Sequence, residues 1–209
     1  MSRPPAAGMH LAAPGTSWPR QLHEGRGMTD TGGRDALALF DSLEPVDTGF
    51  MLGHWVGAEF GSGHPLDGAL QAYHWQGKRF DSAEEVHPLL FRARGGRVLS
   101  VNPSWVAWGV PWLMRWPALK SPRLGAVAQA LLPLVSTHGS CARLRMMAHR
   151  GRFSAALVYD AVPILDVFRR LGADQVLGLM DMKGLDRPYF FVLTRQHAAA
   201  GSSMRTSGP

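Results

Sequence analysis

Apolar and polar residues follow three different rhythms along this chain. Over residues 35–43, Leu37, Leu39, Phe40 and Leu43 recur at roughly helical spacing and predict a short N-terminal helix that ends before Pro45. From Phe50 onward the rhythm changes. Glycines at 53, 57, 61, 63, 68, 77, 95 and 96 separate short apolar runs, the punctuation of strands and turns. The second half alternates most clearly. Over 141–149, Leu144, Met146 and Ala148 oppose Arg143, Arg145 and Met147. Arg150-Gly151 reads as a hairpin turn, after which Phe153, Ala155, Leu157 and Tyr159 alternate with Ser154, Ala156 and Val158. Runs over 164–171, 175–182 and 189–195 follow, joined by Gly172-Ala173-Asp174 and Lys183-Gly184. Five short strands in succession predict a mainly β fold, an antiparallel meander. Such a meander curls into a barrel, because closure removes its exposed edges.

A third rhythm lies between the two halves. Trp105, Trp108, Trp112 and Trp116 recur at spacings of three, four and four, a helical stripe that Gly109 and Pro111 interrupt. Leu124, Val127, Ala128, Leu131 and Leu132 then predict an amphipathic helix over 123–134. This region reads as a strand followed by a helical insert over a barrel mouth. Its indoles have two readings, buried core or an interfacial segment, because each indole N–H needs a partner when buried. In the second reading Trp108, Trp112 and Trp116 belong to a lid hinged at Gly109 and Pro111, and Arg115, Lys120 and Arg123 attract anionic lipid. The expected organisation is a disordered tail over 1–34, barrel over 35–100, helical insert over 101–139, the completing meander over 140–196 and a second loose tail over 197–209. The N-terminal tail is rich in Gly and Pro, and Met28 offers an alternative start.

Composition narrows the classes. With 209 residues, 45% of them apolar, the chain is large enough for one core. Its apolar stretches are broken well before the ~18 residues of a membrane helix. The N-terminal residues carry prolines at 4, 5, 14 and 19 instead of a continuous apolar leader. The single Cys141 forbids an intrachain disulfide, which fits a cytoplasmic setting. The net charge of +6 comes from scattered residues, so no nucleic-acid partner is expected.

Two groups of segments point to a family. The first is Gly53-His54-Trp55-Val56-Gly57, then Phe60-Gly61-Ser62-Gly63-His64-Pro65-Leu66-Asp67-Gly68, then Trp75-Gln76-Gly77-Lys78-Arg79-Phe80. The second runs from Arg150-Gly151 through Tyr159-Asp160, Pro163-Ile164-Leu165-Asp166-Val167-Phe168-Arg169 and Leu177-Gly178-Leu179-Met180-Asp181-Met182-Lys183-Gly184 to Pro188-Tyr189-Phe190-Phe191. In this order they resemble the GXWXG proteins, which pair a GXWXG domain with a C-terminal domain of unknown function. The resemblance spans about residues 35–195 and implies a calycin- or lipocalin-like barrel. In such barrels a Gly-x-Trp unit opens the first strand. Gly53, Trp55 and Gly57 are then structural, the indole closing one end and a late-strand arginine, best Arg195, lying over it. His64 and Asp67 read either as polar groups at a pocket rim or as parts of an ordinary turn. Lys78, Arg79 and Asp81 read either as an anion site or as a solvated strand end.

Signs of catalysis are few. No histidine pair has the helical spacing of a zinc site, and there is no Cys-x-x-Cys, nucleophile elbow, phosphate loop or dinucleotide fingerprint. No metal and no cofactor are expected. The leading expectation is noncatalytic binding of an apolar small molecule, a fatty acid or phospholipid-like ligand. Its pocket would draw on Met146, Phe153, Leu157, Tyr159, Phe168, Leu179 and Phe190, with Arg143, Arg145, Asp166 and Lys183 for the polar end. Its partners are that ligand and a transient membrane surface. The alternative is an enzyme acting on a small lipophilic substrate through an Asp/Lys/His cluster, with Asp160, Asp166, Asp181 and Lys183 as members. A haem binder is the third reading.

Overall fold

The computed structural model describes residues 31–197. The helix α1 (Thr31–Ser42) is followed by the short strand β1 (Glu44–Pro45), the turn of helix α2 (Thr48–Met51) and strand β2 (Gly53–Glu59). Next come α3 (Ala69–Ala72), β3 (Trp75–Phe80), β4 (Val86–Arg92) and β5 (Val98–Ser100). The helices α4 (Pro103–Arg115) and α5 (Pro122–Val135) separate these from β6 (Ala142–His149), β7 (Arg152–Tyr159), β8 (Ile164–Gly172), β9 (Gln175–Met182) and β10 (Tyr189–Arg195).

Eight strands close into an antiparallel barrel, in the order β2, β3, β4, β6, β7, β8, β9, β10 and back to β2. The five-strand meander falls within a residue of the elements that alternation predicts. Its first hairpin turns at Arg150 and Gly151, both in the left-handed region at φ 50° and 75°, which sets Ala142 opposite Tyr159 and His149 opposite Arg152. One seam is thin. β4 and β6 share the single pair Val86 and Ala142, and beyond it β4 pairs with β5 instead. The insert α4–α5 leaves the chain at this seam and lies over the mouth beside it.

Alternation divides the apolar residues between two cores. The lumen holds Trp55, Trp75, Phe80, Leu144, Leu157, Phe168, Phe191 and Leu193. The second core lies outside the barrel wall, where Ala36 and Phe40 of α1 cover Ala156, Val167, Leu177, Leu179, Phe190 and Val192. Leu179 and Phe190 are therefore corrected from pocket to wall residues. Phe190 meets Phe40 and Phe60 edge-on, each at 6.3 Å between ring centres. The helix α1 also begins before residue 35, so residues 31–34 are helical rather than tail. Gly32 makes this close approach workable, since a Cβ there would stand 3.0 Å from the Ser62 carbonyl oxygen. The tail expectations for 1–30 and 198–209 lie outside the described residues.

The insert departs from its expected form. α4 runs unbroken through Gly109 and Pro111, so these residues do not interrupt the tryptophan stripe. Asn102 caps its start by accepting from the Ser104 N–H at 3.0 Å, and Ser121 caps α5 in the same way through Leu124. No helix among the described residues is long and apolar enough to cross a membrane.

Candidate functional site

The two ends of the barrel are built differently. At the closed end, Trp55 is fully buried and donates its indole N–H to the Met51 carbonyl at 2.8 Å. Arg195, its register partner on β10, lies 4.3 Å over the indole and donates to the carbonyls of Leu52 and Phe50. Gly53 adopts φ +110°, and a Cβ there would meet an Arg195 nitrogen at 3.6 Å. Gly57 has a separate reason to be glycine, because a Cβ would collide with the Trp75 ring at 2.1 Å. Gly53 thus serves the backbone turn into β2, and Gly57 leaves room for the Trp75 ring.

The loop after β2 is a turn wound around one carboxylate. Asp67 Oδ2 accepts from the N–H groups of Ser62, Gly63 and His64 at 3.1, 2.8 and 3.1 Å. His64 Nδ1 accepts from the Leu66 N–H, and its ring meets Tyr189 edge-on. Burial pushes the His64 pKa down to about 4 and raises that of Asp67.

At the other end the barrel holds an apolar cavity of about 430 Å³. Leu89, Phe91, Tyr159, Ile164, Met180 and Tyr189 form its barrel walls, and Leu66, Leu70 and Tyr73 one side. The insert roofs it with Val106, Val110 and Leu113 of α4 and Leu132 of α5. No histidine lines it. Three contacts hold the roof down. Tyr73 donates to the Leu119 carbonyl at 2.8 Å, Lys120 Nζ donates to the carbonyls of Pro65 and Asp67, and Gly125 sits so close to Ala72 that a Cβ would lie 2.0 Å from its oxygen. Lys120 is thereby corrected: its ammonium is spent on carbonyls, not offered to lipid.

Below the cavity floor lies a polar group that alternation only half revealed. Lys78 and Asp166 are buried in the lumen and pair at 2.8 Å. Lys78 Nζ also donates to the Pro88 carbonyl at 3.1 Å and to the Tyr159 oxygen at 3.2 Å. The Tyr159 hydroxyl donates to Asp166 Oδ2 at 3.1 Å. The rings of Trp75, Tyr159 and Phe191 surround the ammonium at 5.0–5.7 Å. Burial, and after it the Asp166 carboxylate, pushes the Tyr159 pKa well above that of an ordinary phenol. Strict alternation puts Lys78 on the face of Phe80, an apolar core residue, and that was the available signal. The bulge at Gly77 obscured it. This glycine has φ +132°, and a Cβ would stand 2.0 Å from the Trp55 carbonyl oxygen. The solvated-end and anion-site readings of Lys78 are thus both corrected, whereas Arg79 and Asp81 do form an exposed pair at 2.9 Å.

Of the expected pocket residues, the structure places Tyr159 in the cavity wall, Asp166 beside it, and Leu157 and Phe168 deeper in the lumen. Met146 and Phe153 are corrected. They lie toward the Arg150-Gly151 hairpin, and Phe153 is 68% exposed. Arg143 and Arg145 point outward and pair with Asp160 and Glu84, each at 2.8 Å. Lys183 is exposed in the turn after β9, and Asp160 and Asp181 are exposed as well, so the expected acid–lysine cluster does not assemble. Among the described residues, no three His, Cys, Asp or Glu side chains gather as a metal site. Trp108 and Trp112, at 81% and 62% exposure, stand out from α4, as does Trp105, and Trp116 at the helix's C-terminal cap is exposed as well. This corrects the buried-core reading of the indoles.

A closed eight-stranded barrel with one sealed end and one roofed apolar cavity defines the structural class. The chain belongs to the GXWXG protein family. Residues 38–96 match the family model described as GXWXG protein, and residues 140–195 match that described as Domain of unknown function (DUF4334). The insert α4–α5 falls between the two matches. A crystal structure of a protein from Thermomonospora curvata is similar at 35% sequence identity and a TM-score of 0.58, over 78% of this chain and 87% of that one. No curated protein matches the chain.

Proposed function

We propose that this protein binds an apolar small molecule in the roofed cavity without transforming it. The carrying observation is the cavity itself. Its volume of about 430 Å³ lies within the usual range for small-molecule sites, and its lining is almost wholly apolar. N-phenylnaphthylamine, an uncharged dye that brightens in apolar surroundings, tests the reading. One dye per protein should bind saturably. Leu89→Trp and Val110→Trp, which fill the cavity from the barrel and from the roof, should each abolish the signal while leaving a cooperative melt. Saturable binding that persists in both folded variants overturns the proposal.

The roof supports a second element of this function, contact with an anionic lipid surface during ligand exchange. Three exposed indoles on α4, with Trp116 at its C-terminal cap, form an apolar face rather than scattered exposure. Charge complements it. No Asp or Glu occurs between Glu85 and Asp160, and Arg94, Arg97, Arg115 and Arg123 are all exposed in this acid-free stretch. Vesicles containing phosphatidylglycerol should blue-shift the tryptophan emission, and purely zwitterionic vesicles should shift it much less. No shift with either, or concentration-dependent self-association that buries the same indoles, overturns the lipid contact.

A further inference from the structure

The buried polar group under the cavity has a hydrogen-bonding capacity that selects a ligand class. Lys78 carries three ammonium protons, and three acceptors face them: Pro88 O, Tyr159 Oη and Asp166 Oδ2. The single Tyr159 hydroxyl proton goes to Asp166 Oδ2. The donors of this group are therefore all engaged. Its open position is an acceptor, Asp166 Oδ1, which is buried and has no partner. A second buried atom on the same inner wall is also unpartnered, the indole N–H of Trp75, whose ring lies 5.7 Å from Lys78 Nζ. Buried polar atoms left without partners are uncommon and ask for an explanation.

The register places this unmet capacity just beneath the cavity floor. Asp166 sits directly opposite Met180 across β8 and β9, and Met180 opposite Tyr189 across β9 and β10. Met180, Tyr189 and Tyr159 all line the cavity. Trp75 stands opposite another lining residue, Phe91, so the acceptor and the donor both lie one layer beneath the lining, within reach of a ligand end that passes between Tyr159 and Met180.

We propose that the cavity takes an apolar molecule ending in a hydroxyl group, bound with that hydroxyl at Asp166. This deepens the binding reading above and rests on it. A hydroxyl both donates, as Asp166 Oδ1 requires, and accepts, as the Trp75 N–H requires. A carboxylate cannot donate, and it brings a second negative charge beside Asp166 with no Lys78 proton left to receive it. A hydrocarbon leaves both atoms unpartnered. The fatty-acid expectation is therefore replaced by a long-chain or cyclic alcohol.

Displacement of N-phenylnaphthylamine by decanol, decanoate and decane, at about pH 8 where the acid is ionised, tests this. Decanol should displace the dye about tenfold more tightly than decane, the contribution of one hydrogen bond to a charged acceptor, and decanoate should be weaker than decanol. Asp166→Asn should erase the preference for decanol over decanoate. Because that change also unpairs Lys78, Trp75→Phe provides an independent readout. It keeps an aromatic ring and loses the N–H together with the rest of the five-membered ring, so the loss of decanol affinity should exceed that of decane a few-fold. Equal binding of decanol and decane, or decanoate binding as tightly as decanol, overturns the hydroxyl assignment while the cavity reading stands. An unchanged decanol preference in folded Asp166→Asn does the same. If the dye itself does not bind, both readings fail together.

Discussion

The barrel's two ends use the same residue type in opposite ways. At the closed end Trp55 is enclosed on every side: its N–H has a carbonyl, its face has an arginine, and Phe50 tilts against it at 5.8 Å. At the mouth, Trp108 and Trp112 of α4 are mostly exposed. Tryptophan content alone distinguishes neither case. The difference lies in what surrounds each indole: glycines and a strand partner at one end, a helix turned partly to solvent at the other. One end is built to hold the fold, and the other leaves apolar surface uncovered.

The largest effect should follow from breaking the closed end. Trp55→Ala removes a fully buried indole and leaves Arg195 without its ring, so it should cost about 3–5 kcal/mol in urea denaturation. A midpoint close to that of the wild type would mean that Trp55 is not the anchor that its contacts describe.

The middle of the barrel should respond next. Lys78→Met alone leaves the Asp166 carboxylate buried beside an apolar chain, at a cost of about 3 kcal/mol. Adding Asp166→Leu should recover most of that loss, because the pair is then replaced by apolar bulk. The double-mutant cycle reads the coupling. If the double variant is less stable than Lys78→Met alone, the pair holds the lumen together rather than serving the site.

The loop between closed end and mouth carries a smaller, pH-dependent effect. Burial holds the His64 pKa near 4 in the folded chain, against 6.5 ordinarily. Above about pH 6.5 the imidazole is neutral in both states and costs nothing. As pH falls below that, the unfolded chain takes up a proton that the folded chain refuses, so stability falls until about pH 4 and then levels off. The loss attributable to His64 should be about 2 kcal/mol, less than the full shift because the group keeps some solvent contact. His64→Asn retains an acceptor for the Leu66 N–H and should flatten this part of the urea-midpoint profile. Parallel profiles for the two proteins would remove His64 from the account.

How far the sequence shows all this depends on how local the signal is. The meander was legible because β6 to β10 follow one another with tight turns, and period-two alternation needs no distant partner. The Trp55–Arg195 contact was legible from the order of segments that the family shares. The faces of Leu179 and Phe190 were not. Both walls of β9 and β10 are apolar, since α1 covers the outer one, and alternation between two apolar faces carries no sign of which is lumen. The burial of Lys78 in the lumen was not legible for a related reason. Its partners Tyr159 and Asp166 stand 81 and 88 positions away, and the Gly77 bulge shifts the count between Trp75 and Phe80. The tryptophan stripe was legible as a helix, but its orientation depended on α5 and α3, which fix the roof from the side.

The smallest effect on stability should come from the mouth, and its smallness is informative. Trp108→Ser and Trp112→Ser remove two large apolar side chains that are mostly exposed. Were these indoles core, each would cost about 3–5 kcal/mol, as at Trp55. As surface residues, they should each change stability by no more than about 0.5 kcal/mol. The part of Trp112 that faces the cavity sets the one asymmetry, since Trp112 lines it and Trp108 does not. Trp108→Ser should therefore leave N-phenylnaphthylamine binding intact, and Trp112→Ser should weaken it slightly. Urea midpoints measured beside Trp55→Ala decide the comparison. A loss at Trp108 approaching that at Trp55 would mean that a partner or a second copy covers α4 in solution, and the contrast between a sealed end and an open one would have to be given up.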